Sequence, residues 1–392
     1  MENIYIGRGR PEETQQLLDM LDNVFFLEDD EETKRNFLEL LPKLYKDKYS
    51  PAYNNVIVKE DDSIKAAIGC YPVNVIAAGK KLSFLGIGNV AVARDSRGKG
   101  YMIDLMNLSL DIMKSENFDY SLLGGQRQRY GFFGYEPIGF EYRFVIDKGN
   151  IRRILGNEAK SAFTAREITE ADTEIIKKVK ALNESLPFYA ERSEENMIDV
   201  LKSWRCIPYA AFEGVEFRGY FVIQQHNSSS VLEIKPVKTD DMLNLIMCAM
   251  EVINAEGVSL NLPAFDTELC DFMNKNCGGV SIGTPEMINI FNFGRFIEAF
   301  LAVKASRMKL CPGSLTLLIH GMKRDENITV TVDESNNVTV TETENKADIE
   351  LSHSEAIHFI GGLYSRQRVE MAQSFAQSWF PVDFFTRSLD NV

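Results

Sequence analysis

The residue types that build metal sites are scarce or scattered in this sequence. Its 392 residues include four histidines and six cysteines. His353 and His358 stand five apart, not the four that sets two ligands on one helix face. Cys70, Cys206, Cys248, Cys270, Cys277 and Cys311 form no CxxC pair. No metal is therefore expected, and the thiols read as reduced side chains of a reducing compartment. Basic charge is short as well: 43 Lys and Arg against 57 Asp and Glu, a net charge of −14. That balance argues against nucleic acid as a partner. It suits a cationic substrate, and it equally suits mere solubility. No apolar run nears the ~18 residues of a membrane helix. Residues 1–18 lack an apolar core and carry Arg8, Arg10, Glu12 and Glu13. A cytoplasmic protein with no membrane partner is the expectation. The phosphate motifs GxxxxGK[ST] and GxGxxG are both missing, which speaks against nucleotide hydrolysis and dinucleotide binding.

What is present is an ordinary globular composition, 45% apolar and 26% charged. At this length two or three domains are expected. Strand patterns at 55–59, 66–71, 73–78, 81–88 and 89–93 run into a helix over 101–115 that buries Met102, Leu105, Met106, Ser109, Ile112 and Met113. A polar connector at 147–150 marks a first boundary, and the segment to 290 loosely repeats the first order of elements without a glycine-rich turn. The last hundred residues alternate as strands at 314–320, 328–332 and 338–342. Helices are then expected at 354–364 and 369–379.

The chemistry concentrates at residues 89–102. An apolar strand ending in Val90, Ala91 and Val92 leads through Arg94 to Arg97, Gly98, Lys99 and Gly100, and then directly into the helix that starts with Tyr101 and Met102. A helix N-terminus leaves N–H groups without intrahelical partners, and its dipole favours an anion. Glycine lets the backbone approach that anion, while Arg97 and Lys99 add positive charge. A phosphate or pyrophosphate fits this turn; the alternative is a turn that uses glycine for geometry alone.

The run 97–102 resembles the Q/R-x-x-G-x-G/A signature of the GNAT superfamily of acyl-CoA N-acyltransferases at Arg97 and Gly100, with Met102 in place of its last small residue. The resemblance implies that the amides of residues 98–102 bind the pyrophosphate of acetyl-CoA. It also implies that Val90, Ala91 and Val92 line the pantetheine arm, and that an N–H near Val90 polarises the thioester carbonyl. Downstream, Tyr130, Gly134 and Tyr135 are similar to the family's F-Y-x-x-x-G-F segment. Tyr130 is thereby implied as the acid that protonates the departing thiolate, a task that suits a phenol of pKa ~10. The alternative for Tyr130 is a place among the core aromatics; Phe132 and Phe133 read as core.

The whole chain resembles one subfamily, the enhanced-intracellular-survival (Eis)-type acetyltransferases, in length, in order of elements, in the Tyr130–Gly134–Tyr135 form of the second motif and in the Phe380, Pro381 pair. That resemblance implies an α+β chain of three parts. Residues 1–148 are an N-terminal GNAT domain, 149–290 a second, degenerate GNAT-like domain, and 291–392 a small α+β sterol-carrier-protein-like domain. It implies a homo-oligomer, and it implies that the terminal carboxylate, here on Val392, takes the proton of the acceptor amine. The subfamily's usual terminal aromatic is absent, and Asp390 is the alternative carboxylate. Phe25, Phe26 and Glu28, at the edge of the acidic run 28–32, are candidates for lining the site of a cationic amine. The run itself reads as a solvated loop. An aminoglycoside-like, polyamine-like or lysine amine fits equally. A non-catalytic CoA- or lipid-binding protein is the rival reading, which expects an apolar cavity behind the strands at 314–342.

Overall fold

The computed structural model describes residues 4–26, 28, 35–156, 160–225, 230–284 and 286–392. Residues 29–32 of the acidic run lie outside them. The fold is mixed α+β, and the chain forms two compact units. One holds Met1–Gly139, Glu286–Val382 and Asn391–Val392, the other Phe140–Pro285 and Asp383–Asp390.

The first unit opens with β1 (Ile4–Arg8), α1 (Thr14–Phe25), α2 (Phe37–Leu40) and α3 (Pro42–Tyr45). α2 and α3 are separate because Leu41 leaves helical geometry just before Pro42 starts the next turn. Next come β2 (Asn55–Glu60), β3 (Ser63–Ala77) and β4 (Lys80–Val92), then α4 (Tyr101–Ser115), β5 (Tyr120–Leu123), α5 (Arg127–Tyr130) and β6 (Glu136–Ile138). The strands read as four pieces over 66–93 are two long ones. Their turn places Ala78 and Gly79 both at positive φ, the tight geometry whose twist matches an antiparallel pair. One face of α4 buries Tyr101, Leu105, Met106, Ser109, Leu110 and Met113. It packs against Val56, Val58, Ile68, Leu85 and Ile87 of the sheet in one core.

The second unit contributes β7 (Glu141–Asp147), α6 (Lys148–Leu155), β8 (Thr164–Glu167), α7 (Thr173–Glu184), β9 (Phe188–Ala190), α8 (Met197–Lys202), β10 (Cys206–Glu213), β11 (Glu216–Gln224), β12 (Ser230–Pro236), α9 (Met242–Val252), β13 (Gly257–Pro263), α10 (Thr267–Asn276) and β14 (Gly279–Gly283). Seven of its strands follow the order β14-β7-β13-β12-β11-β10-β8. The connector read at 147–150 is a helix start: Asp147 and Asn150 exchange side-chain and backbone hydrogen bonds in a reciprocal cap. Residues 383–390 belong to this unit, with Leu389 in the core beside Tyr220 and Val222.

The chain re-enters the first unit with β15 (Glu286–Ile290), inserted between β5 and β6, so that this sheet runs β1-β2-β3-β4-β5-β15-β6. The strand at 286–290 thus completes the first sheet, whereas 141–147 lies in the second. Then follow α11 (Phe293–Arg307), β16 (Gly313–His320), β17 (Asp325–Val332), β18 (Val338–Glu342), β19 (Ile349–Ser352), α12 (His353–Gly361) and α13 (Arg366–Glu370). Strands β18-β17-β16-β19 form a third sheet. Its inward residues Leu315, Leu317, Ile319, Ile328, Val330 and Val332 are buried, and α11 lies across β17 and β18. The helix expected over 369–379 is instead one turn of α13 and a short 3-10 turn. The buried Arg368 guanidinium leaves its own helix to donate to the carbonyls of Phe359 and Gly362, closing the end of α12.

Candidate active site

The site grows from a split in the first sheet. β4 pairs in parallel with β5 over Phe84–Ile87 only, against Tyr120–Leu123. Residues 88–92 run on beside β3 with no partner on the β5 side among the described strand pairs. A bulge lies in the unpaired stretch: Ala91 faces Ala67 and Gly88 faces Gly69, so Ile68 alone stands opposite Asn89 and Val90. Asn89 takes a φ of +39° there.

From Val92 the chain passes a short 3-10 turn at Arg94–Ser96 and reaches Gly98 and Gly100, at φ +84° and +89°. Both values fall in the left-handed region where glycine alone carries no steric penalty. A Cβ on either would meet no atom within 4 Å, so both glycines border open space. Gly100 is the N-cap of the 15-residue α4 and, as glycine, contributes no side-chain cap. An open glycine turn at the start of a long helix is the kind of place where an anion can approach backbone N–H groups.

The two cationic side chains of the turn divide. Arg97 is exposed. Lys99 is ion-paired with Glu60 at 2.5 Å, and the Tyr101 hydroxyl bonds to the same carboxylate. Lys99 and Tyr101 together hold the Glu60 carboxyl below its ordinary range. Lys99 therefore fixes the turn to β2, and its charge is already partly neutralised.

Tyr130 closes α5 and is 6% exposed. Its ring edge is 3.3 Å from where a Cβ on Gly125 would stand, just beyond β5. On the neighbouring Gly124, a Cβ would sit 3.1 Å from Glu286 Oε2. Asn391 Nδ2 donates to the other oxygen of Glu286 at 2.8 Å, and Lys43 Nζ donates to the Asn391 carbonyl. Val392 then lies on β4. Its side chain is 2.6 Å from a Cβ built on Gly86, and its carboxyl carbon is 3.3 Å from one built on Gly88. Tyr130 and Val392 thus flank the end of β5, where the strands part. Asp390, the alternative carboxylate, is engaged elsewhere. It accepts from Arg192 Nε and Nη2 at 2.8 and 2.9 Å, within a buried cluster that includes Glu233.

The amine-lining candidates lie apart in character. Phe26 is buried and Phe25 is 43% exposed, both against Phe37, with centroids 5.2 and 5.3 Å away. Glu28 pairs with Arg94 at 2.8 Å on the surface. Phe132, expected in the core, is 90% exposed, whereas Phe133 is buried. Cys70 is buried beside Ser109, and burial pushes its thiol up to about 11, so it offers no thiolate nucleophile near neutrality.

Sequence reasoning missed Gly86, Gly88, Asn89, Lys43 and Glu286. The run Gly86, Ile87, Gly88, Asn89 inside an apolar strand pattern was the available signal, since isolated glycine and asparagine in a strand mark a bulge or a close approach. Lys43 and Glu286 carry no local signal.

Residues 6–138 match the family model described as acetyltransferase (GNAT) domain. The chain carries a GNAT acetyltransferase domain. It is an acyltransferase, and acetyl-CoA is the co-substrate of this enzyme class. Solved structures share the fold along nearly the whole length. A probable N-acyltransferase from Enterococcus faecalis is 17% identical at a TM-score of 0.67, covering 98% of this chain and 97% of its own. A GCN5-related N-acetyltransferase from Anabaena variabilis is 13% identical at 0.69, covering 98% of both. Eis1 from Mycobacterium abscessus is 11% identical at 0.59, covering 99% of this chain and 98% of its own. No curated protein matches the sequence. Among the described residues no cluster of His, Cys, Asp or Glu could hold a metal, and no helix is long and apolar enough to cross a membrane.

Proposed function

We propose that this acyltransferase moves the acetyl group of acetyl-CoA directly to a primary amine, at the split between β4 and β5. The observation that carries the reading is the parting of β4 from β5 at Ile87, continued into an open glycine turn at the head of α4. The amides of residues 98–102 hold the pyrophosphate, with Arg97 adding charge from the turn. Val90, Ala91 and Val92 offer a strand edge to the pantetheine arm, and the Val90 N–H polarises the thioester carbonyl as tetrahedral charge develops. The Val392 carboxylate takes the proton that the amine must lose before it attacks, and Tyr130 gives one to the departing CoA thiolate. The placement of Val392 on Gly88 and of Tyr130 beside Gly125 supports these two roles. The acidic balance of the chain favours a cationic acceptor.

The Eis-type layout is part of the same proposal: a GNAT domain over 1–148, a degenerate one over 149–290 and a carrier-like domain over 291–392. Three sheets and the full-length likeness to the fold of Eis1 support the three-part layout, while the exchange of 141–147 and 286–290 between the first two sheets moves its boundaries from those positions. Calorimetric titration with acetyl-CoA tests the site. Saturable binding is expected, and Gly100→Glu should abolish it by filling the turn with a side chain and a negative charge. Equal binding in a folded Gly100→Glu protein would remove the glycine turn from the site.

A further inference from the structure

The strand that carries the carbonyl donor is bent by a side chain that the reaction itself leaves unused. Asn89 holds a backbone conformation that residues with a Cβ rarely adopt, and such a conformation persists only where its surroundings over-determine it. Those surroundings come from three other elements. The Asn89 amide is hydrogen bonded to the Tyr45 hydroxyl of α3 at 2.7 Å and to Asn55 Oδ1 of β2 at 2.8 Å. Asn55 Nδ2 in turn donates to the Pro51 carbonyl at 2.9 Å and to the Tyr71 hydroxyl of β3 at 3.0 Å. Tyr45 and Asn55 are buried, at 1% and 0% exposure. Burial raises the pKa of both tyrosines, so their hydroxyls keep their protons. Opposite the bulge, Gly69 makes the room: a Cβ there would stand 2.2 Å from Asn89 Oδ1.

We propose that Tyr45 and Asn55, acting through Asn89, fix the β4 bulge so that the Val90 N–H is held in line with the thioester carbonyl. They are positioning residues that touch neither substrate. A donor stabilises developing charge only if it is aligned before the reaction starts, and small misplacements are costly. The network gives a half-buried polar side chain in the apolar end of β4 a full set of partners next to the site. The proposal rests on the reading of Val90 as the carbonyl donor.

Infrared difference spectra of carbonyl-13C acetyl-CoA, bound to the wild type, Tyr45→Phe and Asn89→Gly, separate the two ideas. Phenylalanine keeps the packing on Phe37, and glycine keeps the positive φ without the side-chain bonds. In the wild type the bound carbonyl stretch should fall below that of free acetyl-CoA. In both variants it should return toward the free value, with kcat about tenfold lower and the Kd of CoA within about twofold. No shift in the wild type would overturn the Val90 reading and this proposal with it. A wild-type shift fully retained in both variants would overturn the positioning role alone. A shift lost in Asn89→Gly but kept in Tyr45→Phe would remove Tyr45 and overturn the network as drawn.

Discussion

Two residues, Tyr130 and Val392, divide the proposed proton transfers, and each has its own signature. Tyr130 is buried beside the end of β5. Tyr130→Phe is expected to lower kcat on the order of 10²-fold with acetyl-CoA affinity kept, because only the proton donor is lost. Steady-state kinetics beside a binding isotherm will show it, and an unchanged kcat removes the phenol from the mechanism. Val392 supplies a carboxyl group over Gly88, while Asp390 is bound up with Arg192. Removing Asn391–Val392 spares the Arg192–Asp390 pair and takes away the carboxylate at the site. Acetyl transfer should then fall at least about tenfold while CoA still binds. Full activity in the shortened protein would rule out a base at that end of the chain.

At the scale of elements, the site depends on two places where a regular structure is interrupted. The β4 bulge takes Val90 out of register with β3, and the glycine turn opens α4 without a side-chain cap. Both leave backbone groups available, which an undisturbed strand or a well-capped helix would have used internally. The start of α6, by contrast, is satisfied locally. In α6, Asp147 accepts from the Asn150 N–H at 2.8 Å, and the Asn150 side chain accepts from the Asp147 N–H at 3.0 Å. Asp147→Ala should therefore cost about 1 kcal/mol. A drop in the urea midpoint with an unchanged slope is the expected result. No change would mean that tertiary packing alone holds α6.

At the scale of the molecule, buried titratable groups predict how acid unfolds each unit. His353, in the first unit, is enclosed between Asn289 and Met322, and burial pushes it down to about 4. Between about pH 6.5 and about 4 the unfolded chain takes up a proton at this residue that the folded chain refuses, so stability falls as pH drops through that window. In the second unit Glu233 is buried. Arg192 and Arg387 outweigh that burial and bring its carboxyl down to about 2. Its contribution is fully present above about pH 4.3 and is lost as pH falls toward 2. Calorimetric midpoints should decline in both windows, and His353→Gln should flatten the upper one. An unflattened profile in that variant would assign the upper loss to other groups.

The sequence by itself determined the elements whose signals are local. The apolar stripe of α4, the glycines before it and the tyrosine-glycine pair at 130 and 134 each depend on neighbours within a few turns of chain. Helical period and glycine φ need nothing further. The mixed α+β class and the glycine turn at the head of α4 followed from them. Tertiary structure decided what depends on residues far apart in sequence. The insertion of β15 between β5 and β6, the continuity of β3 and β4, and the Asn55–Asn89–Tyr45 network are all set by cross-strand partners that no local pattern records. The pairing of Lys99 with Glu60 of β2 likewise joins residues that no local pattern links. Val392 reached β4 because Gly86 and Gly88 leave its side chain room and because Lys43 and Glu286 hold Asn391. Those contacts join segments hundreds of residues apart, and only the folded chain brings them together.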